Sequence, residues 1–252
     1  MKDQLYQYVL RLADDALIMS YRMGEWCSNG PMLEEDLAMT NMALDYIGRA
    51  EALLEYASHL KDDGSSADDL AYRRPEREFY NHLICEQVNG DFAHTMLRQY
   101  LIASYELNYY SELCKSNDSQ LAAIAMKAIK EIKYHHQHCR DWVIRLGDGT
   151  ELSNQKTQIA LNQLWMFTGE LFENDEIDTY MMDMGIAPNP NHFKSLWDES
   201  INQCFILANI HIPNVNFQQT GSKQGIHSEQ LGHILSVMQY LPRAYPNAKW
   251  SI

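Results

Sequence analysis

Glu131, His135 and His138 are the residues whose types and spacing come nearest to metal chemistry, and all three fall in one run, Leu121 to Leu146. Leu121, Ala125, Ala128, Ile132, His135, Cys139, Trp142 and Leu146 recur every three or four residues, so one helix face carries them and His135 points into a core. Glu131 lies one turn earlier, at the edge of that face. A carboxylate and an imidazole aimed inward from one helix are the parts from which helix bundles assemble metal centres.

A carboxylate-bridged di-iron bundle needs a Glu from each of two helices and a Glu-x-x-His from each of the other two. No histidine of this chain has Glu three positions before it. His82, His135, His136 and His138 are preceded there by Phe79, Ile132, Lys133 and His135, and only Asp91-Phe-Ala-His94 approaches the pattern. The inner faces of the other long helices offer Asp15 or Ser20, Asn41 with Asp45, and Gln99 with Glu106. Added to Glu131 and His135, these make a polar layer too poor in ligands for two irons, with a neutral amide, Asn41, where a carboxylate would be wanted. The expectation is a hydrogen-bonded network that holds no stoichiometric iron or manganese and has no catalytic residue.

Other chemistry is thin. There is no Gly-x-Ser-x-Gly elbow, and the cysteines lack a credible adjacent base in sequence. The Gly221-Ser-Lys-Gln-Gly225 loop could turn its amides and Lys223 toward a phosphate, though an ordinary helix-entry loop reads the same way.

The elements that must position these residues are helices throughout. Leu5, Val9, Leu12, Ala16, Met19, Met23 and Cys27 stripe a first helix from about Asp3 to Cys27, ended by Asn29-Gly30-Pro31. A second runs to about Leu60, with Leu33, Leu37, Leu44, Ile47 and Leu54 as its expected apolar stripe. Lys61 to Arg77 is the longest connection, and a short helix follows from Pro75 to Cys85. A third long helix spans about Asp91 to Lys115, and Asn117-Asp118-Ser119 caps the helix of His135. Two helix pairs joined by a long crossing segment give an all-α four-helix bundle over about residues 3–146. Further helices are expected at about Ser153–Leu171, Asp175–Met184, Asn191–Ala208 and Ser228–Tyr240. His211 to Gly225 reads as loop, and LPRAYPNAKW closes the chain.

With 252 residues and no flexible interdomain linker, one domain over 1–252 is expected, its C-terminal helices occupying about 150–243. The net charge of −14 argues against a protein built to grip nucleic acid, and no segment has the apolar length of a membrane span, so the expected location is cytoplasmic. Five widely spaced cysteines without a Cys-x-x-Cys pair read as reduced thiols. Tyr100, Tyr105, Tyr109, Tyr110, Trp142, Trp165, Phe167, Phe172 and Trp197 exceed what one bundle need hide, which points to a partner surface unless the C-terminal helices cover them.

Five long segments carry a resemblance over nearly the whole chain. GEWC at Gly24 to Cys27, LEEDLAMTNMALDYIGRA at Leu33 to Ala50, EQVNGDFAHTMLRQY at Glu86 to Tyr100, LAAIAMKAIKEIKYH at Leu121 to His135 and GIHSEQLGHILSVMQYL at Gly225 to Leu241 resemble the C subunits of bacterial phenylacetyl-CoA epoxidase complexes. The resemblance implies a ferritin-like, non-catalytic structural subunit whose metal site has decayed. Its implied partner is an A subunit that holds the di-iron centre and the CoA thioester. Together they would add one oxygen atom of O₂ to the aromatic ring, with electrons from a reductase that bears FAD and an iron–sulfur cluster. A homodimer of the isolated chain stays open. The rival reading is a ferritin-like oxygenase or oxidase active on its own through Asp45, Glu106, Glu131 and His135.

Overall fold

A computed structural model describes residues 1–215, 217–246 and 248, and among them there is no β-strand. The order is α1 (Lys2–Gly24), α2 (Leu33–Lys61), α3 (Ala67–Tyr72), α4 (Leu83–Glu86), α5 (Phe92–Leu113), α6 (Ser119–Gly147), α7 (Glu151–Leu164), α8 (Glu176–Asp183), α9 (Lys194–Leu207), α10 (Glu229–Met238) and α11 (Tyr240–Ala244). Asn247, Lys249 and Trp250 of the expected closing segment lie outside the described residues.

Two hairpins make the bundle: α1 packs along α2, and α5 along α6. The expected face of α1 is buried from Leu5 to Met23, while Cys27 lies past the helix end and is exposed. In α5, Met96, Gln99, Ala103, Glu106 and Tyr110 face inward as their spacing predicts. Asp91 and Asp118 cap α5 and α6 by accepting the amides of His94 and Leu121.

α2 departs from the expectation. Leu33, Leu37, Leu44 and Ile47 are 71%, 55%, 61% and 37% exposed, and of the expected stripe only Leu54 is buried. The face turned to the core holds Met39, Met42, Tyr46, Arg49, Ala50, Leu53 and Ala57 instead. α2 has two apolar periodicities, and spacing alone cannot say which one meets α1 and α5. The side carrying Tyr46 and Arg49 wins because their polar tips find partners inside.

The crossing segment also differs. Residues 61–77 contain α3, which Ser66 and Asp69 start with a reciprocal capping box. The helix expected over Pro75–Cys85 is a 3₁₀ turn, Glu76–Glu78, and the short α4. The helix expected to Leu171 ends at Leu164 and continues as two 3₁₀ turns, and Leu241-Pro-Arg, read as tail, belongs to α11.

Buried carboxylates staple the C-terminal half to the bundle. Glu170 accepts the amides of Leu83 and Ser222 at 2.8 and 2.9 Å. Glu86 accepts from Ser228 N, Ser228 Oγ and Asn81 Nδ2 and pairs with His227 Nδ1, all at 2.7–2.9 Å. Charge-assisted bonds of this kind hold where neutral ones would exchange with water. The surplus aromatics are used within the chain: Tyr100 donates to Ser200 O at 3.1 Å, and Phe172 packs edge-on to Trp197 and Tyr105 at 5.3 and 5.6 Å. The partner surface expected there is covered in part by the chain's own α9 and its approach, and an exposed apolar ridge runs along α2.

Candidate polar centre of the bundle

Tyr46 and Arg49 on α2, Gln99 and Glu106 on α5, and His135 on α6 meet in the interior. Arg49 Nη2 pairs with Glu106 Oε1 at 3.0 Å, and both side chains are less than 10% exposed. Tyr46 OH donates to Glu106 Oε2 at 3.2 Å and accepts from Gln99 Nε2 at 2.6 Å. The guanidinium carbon lies 4.6 Å from the Tyr46 ring centre and 4.9 Å from that of Tyr110, so its faces rest on π-clouds that stabilise a cation. Burial works against the charge of Arg49, but Glu106 and then the two tyrosines hold its pKa above the ordinary arginine value. Burial, then Glu106, pushes the Tyr46 phenol well up, so it stays a donor.

His135 Nε2 meets Asp45 Oδ2 at 2.9 Å, and its ring lies 5.1 Å from Tyr46. Glu131, one turn earlier, lines a cleft of about 210 Å³ between α2 and α6 with Gly48, Arg49, Ala52 and Lys127. Burial and then Asp45 raise its pKa. Further along the same seam, His138 Nε2 pairs with Glu35 at 2.9 Å.

Other expected members lie elsewhere. Asp15 faces a cavity of about 40 Å³ that Glu106 also lines, but its carboxylate is taken by the His82 amide and Nδ1, both at 2.7 Å. Asn41 is exposed on the outer side of α2, between Leu37 and Leu44, because its helical phase puts it opposite the core. Ser20 returns its hydroxyl to Leu17 O at 2.7 Å. Lys223 borders the small cavity beside Asp15 without joining the network. Its ammonium donates to Glu173 O at 2.6 Å and pairs with Asp178.

These donors do not fit a di-metal centre. Glu106 is neutralised by Arg49, His135 is turned to Asp45, and a fixed cation sits among the oxygens that iron would need. Among the described residues no three His, Cys, Asp or Glu side chains converge on a point that could hold an ion. The cavity beside Asp15 is also far smaller than the roughly 300 Å³ at which small-molecule sites begin. Spacing rules missed Tyr46, Arg49 and the fully buried Asp14, which pairs with Arg74. For Tyr46 and Arg49 the available signal was their i, i+3 spacing beside Asp45.

The model of the phenylacetic acid catabolic protein family matches residues 1–250. The chain belongs to that family. One curated relative, the C subunit of the 1,2-phenylacetyl-CoA epoxidase of Escherichia coli (strain K12), is 45% identical over 248 residues, covering 98% of this chain and all of that one. The family likeness thus takes in the layer and the C-terminal helices together. Asp45, Tyr46 and Arg49 all sit in the segment Leu33 to Ala50. Among the described residues no helix is long and apolar enough to cross a membrane.

Proposed function

We propose that this chain is the non-catalytic structural subunit of a multicomponent phenylacetyl-CoA epoxidase, pairing with a catalytic subunit that holds the di-iron centre and the thioester. The reductase of such a complex would supply electrons through FAD and an iron–sulfur cluster. The likeness to an epoxidase component over the whole length of both chains supports the assembly. The observation that carries the non-catalytic role is the Arg49–Glu106 pair at 3.0 Å, a protein cation in the layer where a metal enzyme would need free carboxylates.

The test is co-expression with and without the catalytic subunit. Epoxidation of phenylacetyl-CoA should require both chains, while the chain alone should consume no oxygen with the thioester and, after growth in iron-replete medium, contain no stoichiometric iron. About two irons per isolated chain, or turnover by it alone, would establish the rival reading of an independent ferritin-like oxygenase.

A further inference from the structure

Leu33, Leu37, Thr40, Leu44 and Ile47 follow one another at spacings of four, three, four and three, the repeat of a coiled-coil seam. The four aliphatic residues are exposed on the side of α2 away from Met39, Met42 and Tyr46, with Thr40 half-buried among them, so the helix has a core face and, behind it, a second apolar face. At 1.5 Å per residue the seam runs about 21 Å, two heptads. It leads to Gly48, where an added Cβ would meet nothing within 4 Å. A glycine inside a helix is less favourable than alanine, and no neighbour in this chain requires it. Beyond Gly48 opens the cleft of about 210 Å³ floored by Ala52, Ile124 and Ala128.

We infer that the outer ridge of α2 receives one helix of the catalytic subunit, crossing at roughly 20°, with an apolar side chain seated in the cleft beside Gly48 and Lys or Arg residues flanking its stripe. This rests on the proposed pairing and goes further by naming the surface and the chemistry of the partner. The spacing selects a helix as occupant. Charge selects a basic one: Glu34, Glu51 and Glu55 are exposed along α2, its Arg49 is buried, its Lys61 lies past the ridge and pairs with Asp63, and the exposed Lys127 at the cleft has Glu131 one turn along, so a second copy would lay acids over acids on a chain of net charge −14.

The test uses the full chain and its catalytic partner, titrated by calorimetry and checked by analytical ultracentrifugation. Leu37→Glu with Leu44→Glu should weaken association about 100-fold or more, with an unchanged far-UV spectrum and melting temperature because both positions are exposed. Glu51→Lys with Glu55→Lys, which leaves the ridge intact and serves if the first variant misfolds, should weaken it about 10-fold and flatten its salt dependence. Leu196→Glu with Ile206→Glu, at exposed positions of α9, should bind as the parent does. Parent-like affinity in both α2 variants, or an effect only on self-association, overturns the inference while leaving the proposed pairing standing. Failure of the unmodified chain to bind the catalytic subunit removes both.

Discussion

Replacing Arg49 with methionine is the sharpest test of the polar centre. The substitution keeps length and apolar bulk but removes the cation, leaving Glu106 with Tyr46 OH at 3.2 Å as its remaining donor in a site less than 10% exposed. Orphaning one member of a buried pair costs about 3–5 kcal/mol, nearly all of it the desolvation of the abandoned charge. For a chain of this length each kcal/mol lowers the melting temperature by about 2–4 °C, so a fall of roughly 6–20 °C is expected. Adding Glu106→Gln removes the charge and keeps an acceptor for Tyr46, so the double variant should regain most of the loss, to within about 1–2 kcal/mol of the parent. Equilibrium urea unfolding followed by far-UV circular dichroism gives the four corners of the cycle. A single variant that loses less than about 1 kcal/mol, or a double variant as unstable as the single, would refute the claim that charge neutralisation holds this layer together.

Other outcomes follow from the same geometry. His227 offers both ring nitrogens to acceptors, Nδ1 to Glu86 at 2.9 Å and Nε2 to Phe79 O at 2.7 Å, so the ring is doubly protonated. Burial opposes that charge, but Glu86 and the carbonyl raise the folded pKa above the ordinary 6.5. Its stabilisation is therefore complete below 6.5 and lost as pH rises through the raised value, and His227→Gln should flatten that part of the urea midpoint against pH. His94 runs the other way: burial and then Arg98 depress it to about 4, so stability should fall as pH drops from 6.5 toward 4, with the ring titrating late by NMR. Gly147→Ala would put a Cβ 2.2 Å from Ala208 O, and prying the end of α6 from the residue after α9 should cost about 1–3 kcal/mol in the same urea assay.

Much of the fold could be read from spacing, because long amphipathic helices write their period over many residues. The burial of Met96, Gln99, Ala103, Glu106 and Tyr110 on α5, the cap Asp118 and the burial of His135 stand as expected, while Phe92 and Leu107 of α5 are only half-buried. α2 misled because two stripes of similar apolarity share one helix, and the deciding contacts, Arg49 to Glu106 and Tyr46 to Gln99, join residues more than fifty positions apart. Asp15 and Glu106 do lie on inner faces, yet their partners are His82, from the short helix expected over Pro75–Cys85, and Arg49, which lies off the stripe expected on α2. The α3 capping box is present as Ser66-x-x-Asp69 and is outweighed by the surrounding Gly, Ser and Asp.

Where related architectures depend on a transition ion, the positive charge in this bundle is part of the polypeptide. A guanidinium can be neither stripped by a chelator nor changed in valence, and it arrives with translation. The protein should accordingly reach its final shape in iron-starved cells as readily as in replete ones.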